Sequence, residues 1–110
     1  MIWRDDFAKI DMRVWTIVTC EIFTQVRKPA YKMEIDFWPD IGIKKTSAQI
    51  THHYQTNDCV GKQIIAVINF PPKQIWPIMS ECLVMWIYDE NNDVVLLQPE
   101  RTIKNWCKVG

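Results

Sequence analysis

The alternation of apolar and polar residues predicts a chain built mainly from short strands. The clearest signal is residues 31–37, where Tyr31, Met33, Ile35 and Phe37 alternate with charged side chains. This is the period-two pattern of a strand with one face in water. Residues 13–23 are rich in β-branched side chains and predict a long first strand. Residues 43–50 alternate less strictly and predict the partner of strand 31–37.

The second half of the chain predicts further strands separated by turns. Residues 63–70 form an apolar run typical of a strand buried on both faces, and Pro71 and Pro72 end it because proline cannot donate to a sheet ladder. Residues 81–88 and 94–98 predict two more strands, joined by a turn of Asp and Asn residues at 89–93. The tail, 102–110, predicts one last short strand.

Two segments do not have a strand pattern. In residues 3–12, Trp3, Phe7 and Ile10 recur at helical spacing, and Asp5 and Asp6 suit the positive end of a helix. Residues 51–58 are polar and predict a short helix or an irregular connection. Short strands with turns between them and a single central connection predict a small closed or partly open β-barrel. Neither a linker nor a repeat divides the sequence, so residues 1–110 are expected to form a single domain.

Charge is balanced over the chain but not along it. Thirteen Lys and Arg residues face thirteen Asp and Glu residues, which excludes a polybasic tail. From Arg27 to Lys73, however, basic residues outnumber acidic ones, so the middle of the chain carries the positive field. The longest apolar run, 82–88, is too short to span a membrane, and the N-terminus lacks the pattern of a signal peptide. We therefore expect a cytoplasmic protein without a membrane partner.

The sequence offers little for catalysis. The four cysteines form no CxxC pair, and we expect them to be reduced and buried like small apolar residues. His52 and His53 are adjacent, so they point in different directions and do not form a metal pair. Ser80 and Glu81 lack the motif of a nucleophile. We therefore predict no enzyme, no metal and no cofactor.

What remains is a surface for binding. Basic residues of the middle segment are interleaved with hydrogen-bonding side chains, as in barrels that hold an oligonucleotide backbone in a positive groove. On composition alone, a solvated charged face with no ligand is an equally good interpretation.

A resemblance to a known family covers nearly the whole chain. Six stretches carry it, in order and with the right spacing: DMRV (11–14), KPAYKMEIDF (28–37), IGIKKTSAQIT (41–51), GKQIIAVINFPPKQI (61–75), SECLVM (80–85) and VVLLQPE (94–100). Together they resemble the CsaA-type tRNA-binding domain proteins. The resemblance implies an all-β, five-stranded Greek-key barrel of the oligonucleotide-binding (OB) type, with short helices and N- and C-terminal extensions that build a homodimer.

The same resemblance implies two functions of different classes. One is the binding of tRNA, and the other is a chaperone role in protein export, in which unfolded or presecretory peptides are held. Polar residues matched to the family are Lys28, Lys44, Ser47, Gln49, Thr51, Asn69, Lys73, Ser80 and Glu81. The candidate tRNA-binding residues are Arg27, Lys28, Lys32, Lys44, Lys45, Gln49, Lys73, Ser80 and Glu81, of which Lys28, Lys44, Lys45 and Lys73 are the candidates for phosphates.

Tryptophan is unusually frequent and glycine unusually rare. The chain has six Trp and three Gly, and five tryptophans stand where the family has glycine: Trp15, Trp38, Trp76, Trp86 and Trp106. Base-stacking platforms and an enlarged core are two interpretations. We rank above both a third, in which UGA codons that the organism reads as glycine have been translated as Trp. The count then returns to ordinary usage, about 7% Gly.

Overall fold

The computed structural model describes residues 1–22, 31–36, 43–48, 54–75 and 78–110. The last residues of the predicted strands 31–37 and 43–50 therefore lie outside the described residues. Within them, the chain forms two short helices and a series of strands. The elements are α1 (Arg4–Ala8), β1 (Met12–Ile22), β2 (Tyr31–Asp36), β3 (Ile43–Ala48), α2 (Thr56–Cys59), β4 (Gln63–Val67), β5 (Lys73–Ile75), β6 (Ile78–Ser80), β7 (Leu83–Val84), β8 (Trp86–Tyr88) and β9 (Val94–Leu96).

The long strand β1 organises a five-stranded antiparallel sheet of order β3-β2-β1-β4-β7. Its first half pairs with β4, as far as Thr16 opposite Gln63, and its second half pairs with β2. The register shifts between Ile17 and Thr19, which marks a bulge. Bulges increase the local twist of a strand, so β1 bends where it passes from one partner to the other, and the sheet curls.

Side-chain and main-chain hydrogen bonds close the curled sheet. The edge strands are β3 and β7, and the segment just before β7 bonds to β3. The Thr46 hydroxyl donates to the Cys82 carbonyl (2.9 Å), and the Glu81 N–H donates to the Lys45 carbonyl (2.8 Å). The barrel expected from the strand pattern is thus confirmed.

The alternating residues of β2 point as predicted. Tyr31, Met33 and Ile35 are buried, whereas Lys32 and Glu34 are half-buried on the outer face. In β4, Ile64, Ala66 and Val67 are buried and Ile65 is half-buried. The strand ends at Val67 rather than at residue 70.

Two strand predictions for the C-terminal half need correction. Residues 81–88 do not form one strand, because Met85 separates β7, which pairs with β4, from β8, which pairs with β9. The Met85 N–H donates to Ile65 O (2.8 Å), and Met85 O accepts from Leu97 (3.1 Å). One apolar run thus passes between two sheets, a change that periodicity does not reveal.

The predicted strand at 102–110 is likewise wrong. This described tail makes one isolated bridge, Arg13 with Lys108, although Trp106 donates its N–H to Val14 O (2.8 Å). Trp106 has a φ of +80°, which turns the chain out of extended geometry. The β5–β6 hairpin has no counterpart among the predicted strands, because Pro71 and Pro72 predict the end of a strand and β5 begins directly after them.

The described part of the chain contains no helix that is long and apolar enough to cross a membrane. None of the four cysteines forms a disulfide, and Cys20, Cys59 and Cys82 are buried as predicted. Cys107 is exposed, contrary to expectation, because it follows the turn at Trp106.

Candidate nucleic-acid interface

The structure describes five of the nine candidate residues fully. Arg27, Lys28 and Gln49 lie outside the described residues, and Lys44 is described only by its place in β3. The five described residues belong to three parts of the barrel: Lys32 to β2, Lys45 to β3, and Lys73, Ser80 and Glu81 to the β5–β6 hairpin and the turn after it.

Lys45 and Glu81 are joined through the main chain. Glu81 donates its N–H to Lys45 O (2.8 Å), and its carboxylate Oε1 accepts from the Lys45 N–H (3.2 Å). The Lys45 side chain itself is exposed. The carboxylate of Glu81 thus fixes the backbone of β3 at the point where a basic side chain leaves the barrel.

Ser80 and Lys73 lie on the neighbouring hairpin. They face each other in the β5–β6 register, and the Ser80 hydroxyl lies 3.1 Å from the Thr46 hydroxyl on β3. The Lys45 backbone therefore adjoins the end of the β5–β6 hairpin, although the exposed Lys45 side chain and the buried Thr46 side chain point to opposite faces of β3. We call Lys45, Lys73, Ser80 and Glu81 together the Lys45 surface.

Lys32 has different surroundings. Its ammonium group lies 3.6 Å from the Glu21 carboxylate, and the two residues are opposite each other on β1 and β2. In the next row Glu34 accepts from the Thr19 hydroxyl (3.0 Å) and stands opposite Lys45. A cavity of about 180 Å³ lies among these side chains. The outer face of β1 to β3 therefore alternates in charge.

Glu21 was missed by the count of charges along the sequence. Glu21 precedes the basic segment that begins at Arg27, so the count of acidic residues in that segment does not include it. Only the register of the β1–β2 pair places the two residues together, and that register depends on a connection the sequence does not specify.

An apolar cavity adjoins the Lys45 surface. It measures about 300 Å³ and has Phe70, Pro71, Cys82 and Leu83 as its apolar walls, with Lys73, Ser80 and Glu81 beside them. Phe70 was assigned to a buried strand from the sequence, but it lies beyond β4 with 53% of its surface exposed. Sequence reasoning therefore did not find this cavity.

Metal ligation finds no support in the described residues, which contain no group of three His, Cys, Asp or Glu side chains able to hold an ion. His52 and His53 lie outside the described residues, so the prediction for them stays a prediction.

Three of the unusual tryptophans are described, and they pack inwards. Trp15 is fully buried, which excludes it as a platform for a base, while Trp86 and Trp106 are half-buried against the core. Trp106 has a φ of +80°, which L-residues with large side chains rarely adopt and glycine adopts freely. Trp38 and Trp76 lie outside the described residues.

Comparison with known proteins decides the family. The profile described as "Putative tRNA binding domain" matches residues 12–106. The chain belongs to this family of tRNA-binding domains. The crystal structure of the chaperone CsaA from Bacillus anthracis superposes with a TM-score of 0.92 at 44% identity, covering 100% of this chain and 99% of that one. The CsaA chaperone protein from Picrophilus torridus gives 0.91 at 44% identity, covering 100% of both chains.

These likenesses confirm the resemblance to CsaA and the all-β barrel of the OB type. Methionine–tRNA ligases also match. That of Parabacteroides distasonis is 29% identical over 107 residues, which are 96% of this chain and 15% of the ligase. The chain thus spans about 15% of the length of the ligases it matches, and the likeness is confined to the part of them related to this tRNA-binding domain.

Proposed function

We propose that this chain binds structured tRNA through the Lys45 surface and the adjoining basic residues of β2 and β3. In this proposal the protein acts as a homodimer in the cytoplasm, and residues 1–110 form one domain. The observation that carries the proposal is the hydrogen-bonded junction of β3 with residues 80–82, which gathers Lys45, Lys73 and Ser80 within a tRNA-binding domain. Two exposed ammonium groups and a hydroxyl suit phosphate and ribose oxygens.

Glu81 has a supporting role in this proposal. A carboxylate beside phosphates is unfavourable, but its hydrogen bond from the Lys45 N–H fixes the strand that presents Lys45. We therefore assign Glu81 to positioning and Lys45 and Lys73 to phosphate contact. Lys32, Arg27, Lys28, Lys44 and Gln49 complete the proposed surface.

A homodimer reconciles the binding of an anionic RNA with a chain that has no net charge. A two-fold arrangement doubles the basic surface without adding a basic segment. The N-terminal segment offers apolar area for such an interface, because Ile2 and Trp3 are 73% and 81% exposed. Sedimentation of the purified chain tests this, and a monomer at all concentrations contradicts it.

The test of tRNA binding is its dependence on salt. Neutralisation of several phosphates makes affinity fall steeply between low and physiological salt. The double variant Lys44→Glu with Lys45→Glu should abolish most of the binding. Lys9→Glu, at the exposed residue that follows α1, is the control and should bind like the unaltered protein. Binding that ignores salt, or that survives the double variant, overturns the proposal.

A second candidate is a chaperone function for unfolded or presecretory peptides during protein export. It is favoured by the 44% identity to CsaA chaperones over the whole chain and by exposed apolar side chains such as Phe70, Met79 and Tyr88. Light scattering from a denatured client should fall at an equimolar amount of dimer. Unchanged aggregation counts against this function.

A further inference from the structure

The apolar cavity beside Lys73 exposes apolar side chains to solvent. Phe70 and Leu83 form part of its walls and are 53% and 38% exposed. Pro71 and the buried Cys82 add further apolar area. Concave apolar surfaces of about 300 Å³ are the size at which small-ligand sites begin. The cavity has room for one flat group and not for a helix.

One side of the cavity is polar. The Ser80 hydroxyl is half-buried and held beside Thr46, so its position is fixed by the barrel. Lys73 is exposed at the rim and brings a positive charge, whereas the half-buried Glu81, which also lines the cavity, accepts from the Lys45 N–H through its carboxylate (3.2 Å). Apolar walls, one fixed hydroxyl and one exposed cation match the three parts of a nucleotide: the faces of its base, the polar edge of that base and its phosphate.

We infer that this cavity binds a single unpaired base of the RNA held on the Lys45 surface, an inference that rests on the proposed function. Charge complementarity favours a nucleotide over an apolar peptide side chain, because the Glu81 carboxylate accepts from the Lys45 N–H, while the exposed Lys73 is placed to contact a phosphate and gives nothing to an apolar group. Bases inside a helix are stacked and present no free face. The base that enters therefore comes from a loop or an end of the RNA, with one face against Phe70.

The test compares two RNAs that differ only in their bases. A short unstructured RNA and its abasic counterpart carry the same phosphates, so any difference in affinity belongs to base contacts. The unaltered protein should prefer the intact RNA by about 5- to 150-fold, the range for one stacked base. Phe70→Ala should remove most of this preference.

Ile87→Ala provides the matched control. Ile87 is 54% exposed, against 53% for Phe70, but does not line the cavity. Its variant should keep the full preference for intact RNA. Phe70→Ala should also leave the salt dependence of tRNA binding unchanged, whereas Lys73→Ala should reduce the slope of log affinity against log salt by about one.

The outcomes separate this inference from the proposed function. If the protein binds tRNA with a steep salt dependence but binds intact and abasic RNA equally, the base site is overturned and tRNA binding stands. If the base preference is present without salt-dependent tRNA binding, the base site stands and the proposed function fails. If Phe70→Ala weakens binding of an apolar peptide and of no RNA, the cavity is a peptide site and the inference is wrong.

Discussion

Trp15 and Trp106 meet edge to face inside the barrel, with ring centroids 5.0 Å apart and planes inclined by 73°. Trp15 belongs to β1, and Trp106 lies at the turn in the tail, which runs antiparallel beside the start of β1. The guanidinium carbon of Arg13 lies 4.6 Å from the centre of the Trp106 ring. Trp106 thus combines favourable ring contacts with a φ of +80° that is unfavourable for its backbone.

This conflict predicts an inverted order of stability for two variants. Trp106→Gly and Trp106→Ala both lose the ring, but only Ala retains the left-handed strain of about 1–2 kcal/mol. Urea denaturation should therefore find the Gly variant more stable by about 1 kcal/mol. At Trp86, where φ is not positive, Ala should be more stable than Gly by roughly 0.5–1 kcal/mol. If the Gly and Ala variants rank in the same order of stability at positions 86 and 106, the backbone at 106 carries no left-handed strain.

The codons of the five tryptophans at family glycine positions provide a second prediction. We expect UGA at 15, 38, 76, 86 and 106 and UGG at Trp3, and we expect the protein purified from its own host to carry Gly at those five positions. The φ of Trp106 supports this for one of them. Peptide mass spectrometry gives the answer directly. UGG codons, or Trp in the native protein, leave the enlarged core as the interpretation.

Local pattern was sufficient for the first three strands. β1 was predicted from its content of β-branched residues, and β2 and β3 were predicted from the alternation of apolar and polar side chains. It was not sufficient at Met85, where the chain changes sheets, nor at Trp106, where a single positive φ ends extended geometry. Both events depend on backbone partners that are distant in sequence.

The candidate site was predicted in part for the same reason. Residue type and family resemblance pointed to Lys45, Lys73 and Ser80, which lie on strand β3 and on the hairpin hydrogen-bonded to it. The ion pair of Lys32 with Glu21 and the cavity wall at Phe70 depend on register and on where β4 ends. Neither is visible in a linear pattern.

The Lys32–Glu21 pair predicts that removal of an acid strengthens tRNA binding. Glu21→Gln removes a negative charge that offsets the Lys32 ammonium group, 3.6 Å away, and that repels phosphate. Affinity for bulk tRNA should rise several-fold, and the salt slope should steepen by about one. Glu90→Gln, in the distant turn before β9, is the control and should change neither. Unchanged binding by both variants places Lys32 outside the interface.

The buried thiols predict a loss of stability in alkali. Burial is the main cause that raises the pKa of Cys20 from 9.0 to about 12, and it also raises the pKa of Cys59, which is hydrogen-bonded to Cys20. Between pH 9 and 12 the unfolded chain therefore loses thiol protons that the folded chain keeps, so the free energy of unfolding falls as pH rises.

Cys20→Ala tests this assignment. Its free energy of unfolding should fall less steeply between pH 9 and 12 than that of the unaltered protein, whereas Cys107→Ala, at the exposed cysteine, should follow the unaltered curve. Chemical denaturation at a series of pH values measures both. Parallel curves for all three proteins show that Cys20 ionises equally in the folded and unfolded states.

Asn69 is expected to serve the fold rather than the RNA, although the family resemblance places it among the matched polar residues. Its side-chain oxygen accepts from the Asp11 N–H (3.0 Å), and its amide nitrogen donates to Lys9 O (2.6 Å), which ties the start of β1 to the end of β4. Asn69→Ala should cost about 1–2 kcal/mol of stability.

Two measurements on Asn69→Ala separate these roles. Its affinity for tRNA should equal that of the unaltered protein at temperatures where both are folded, because the amide is occupied by the backbone on both sides. Asn91→Ala, in the exposed turn at 89–93, is the matched control for stability and should change it by less than about 0.5 kcal/mol. If Asn69→Ala loses tRNA affinity without losing stability, Asn69 belongs to the binding surface and not to the fold.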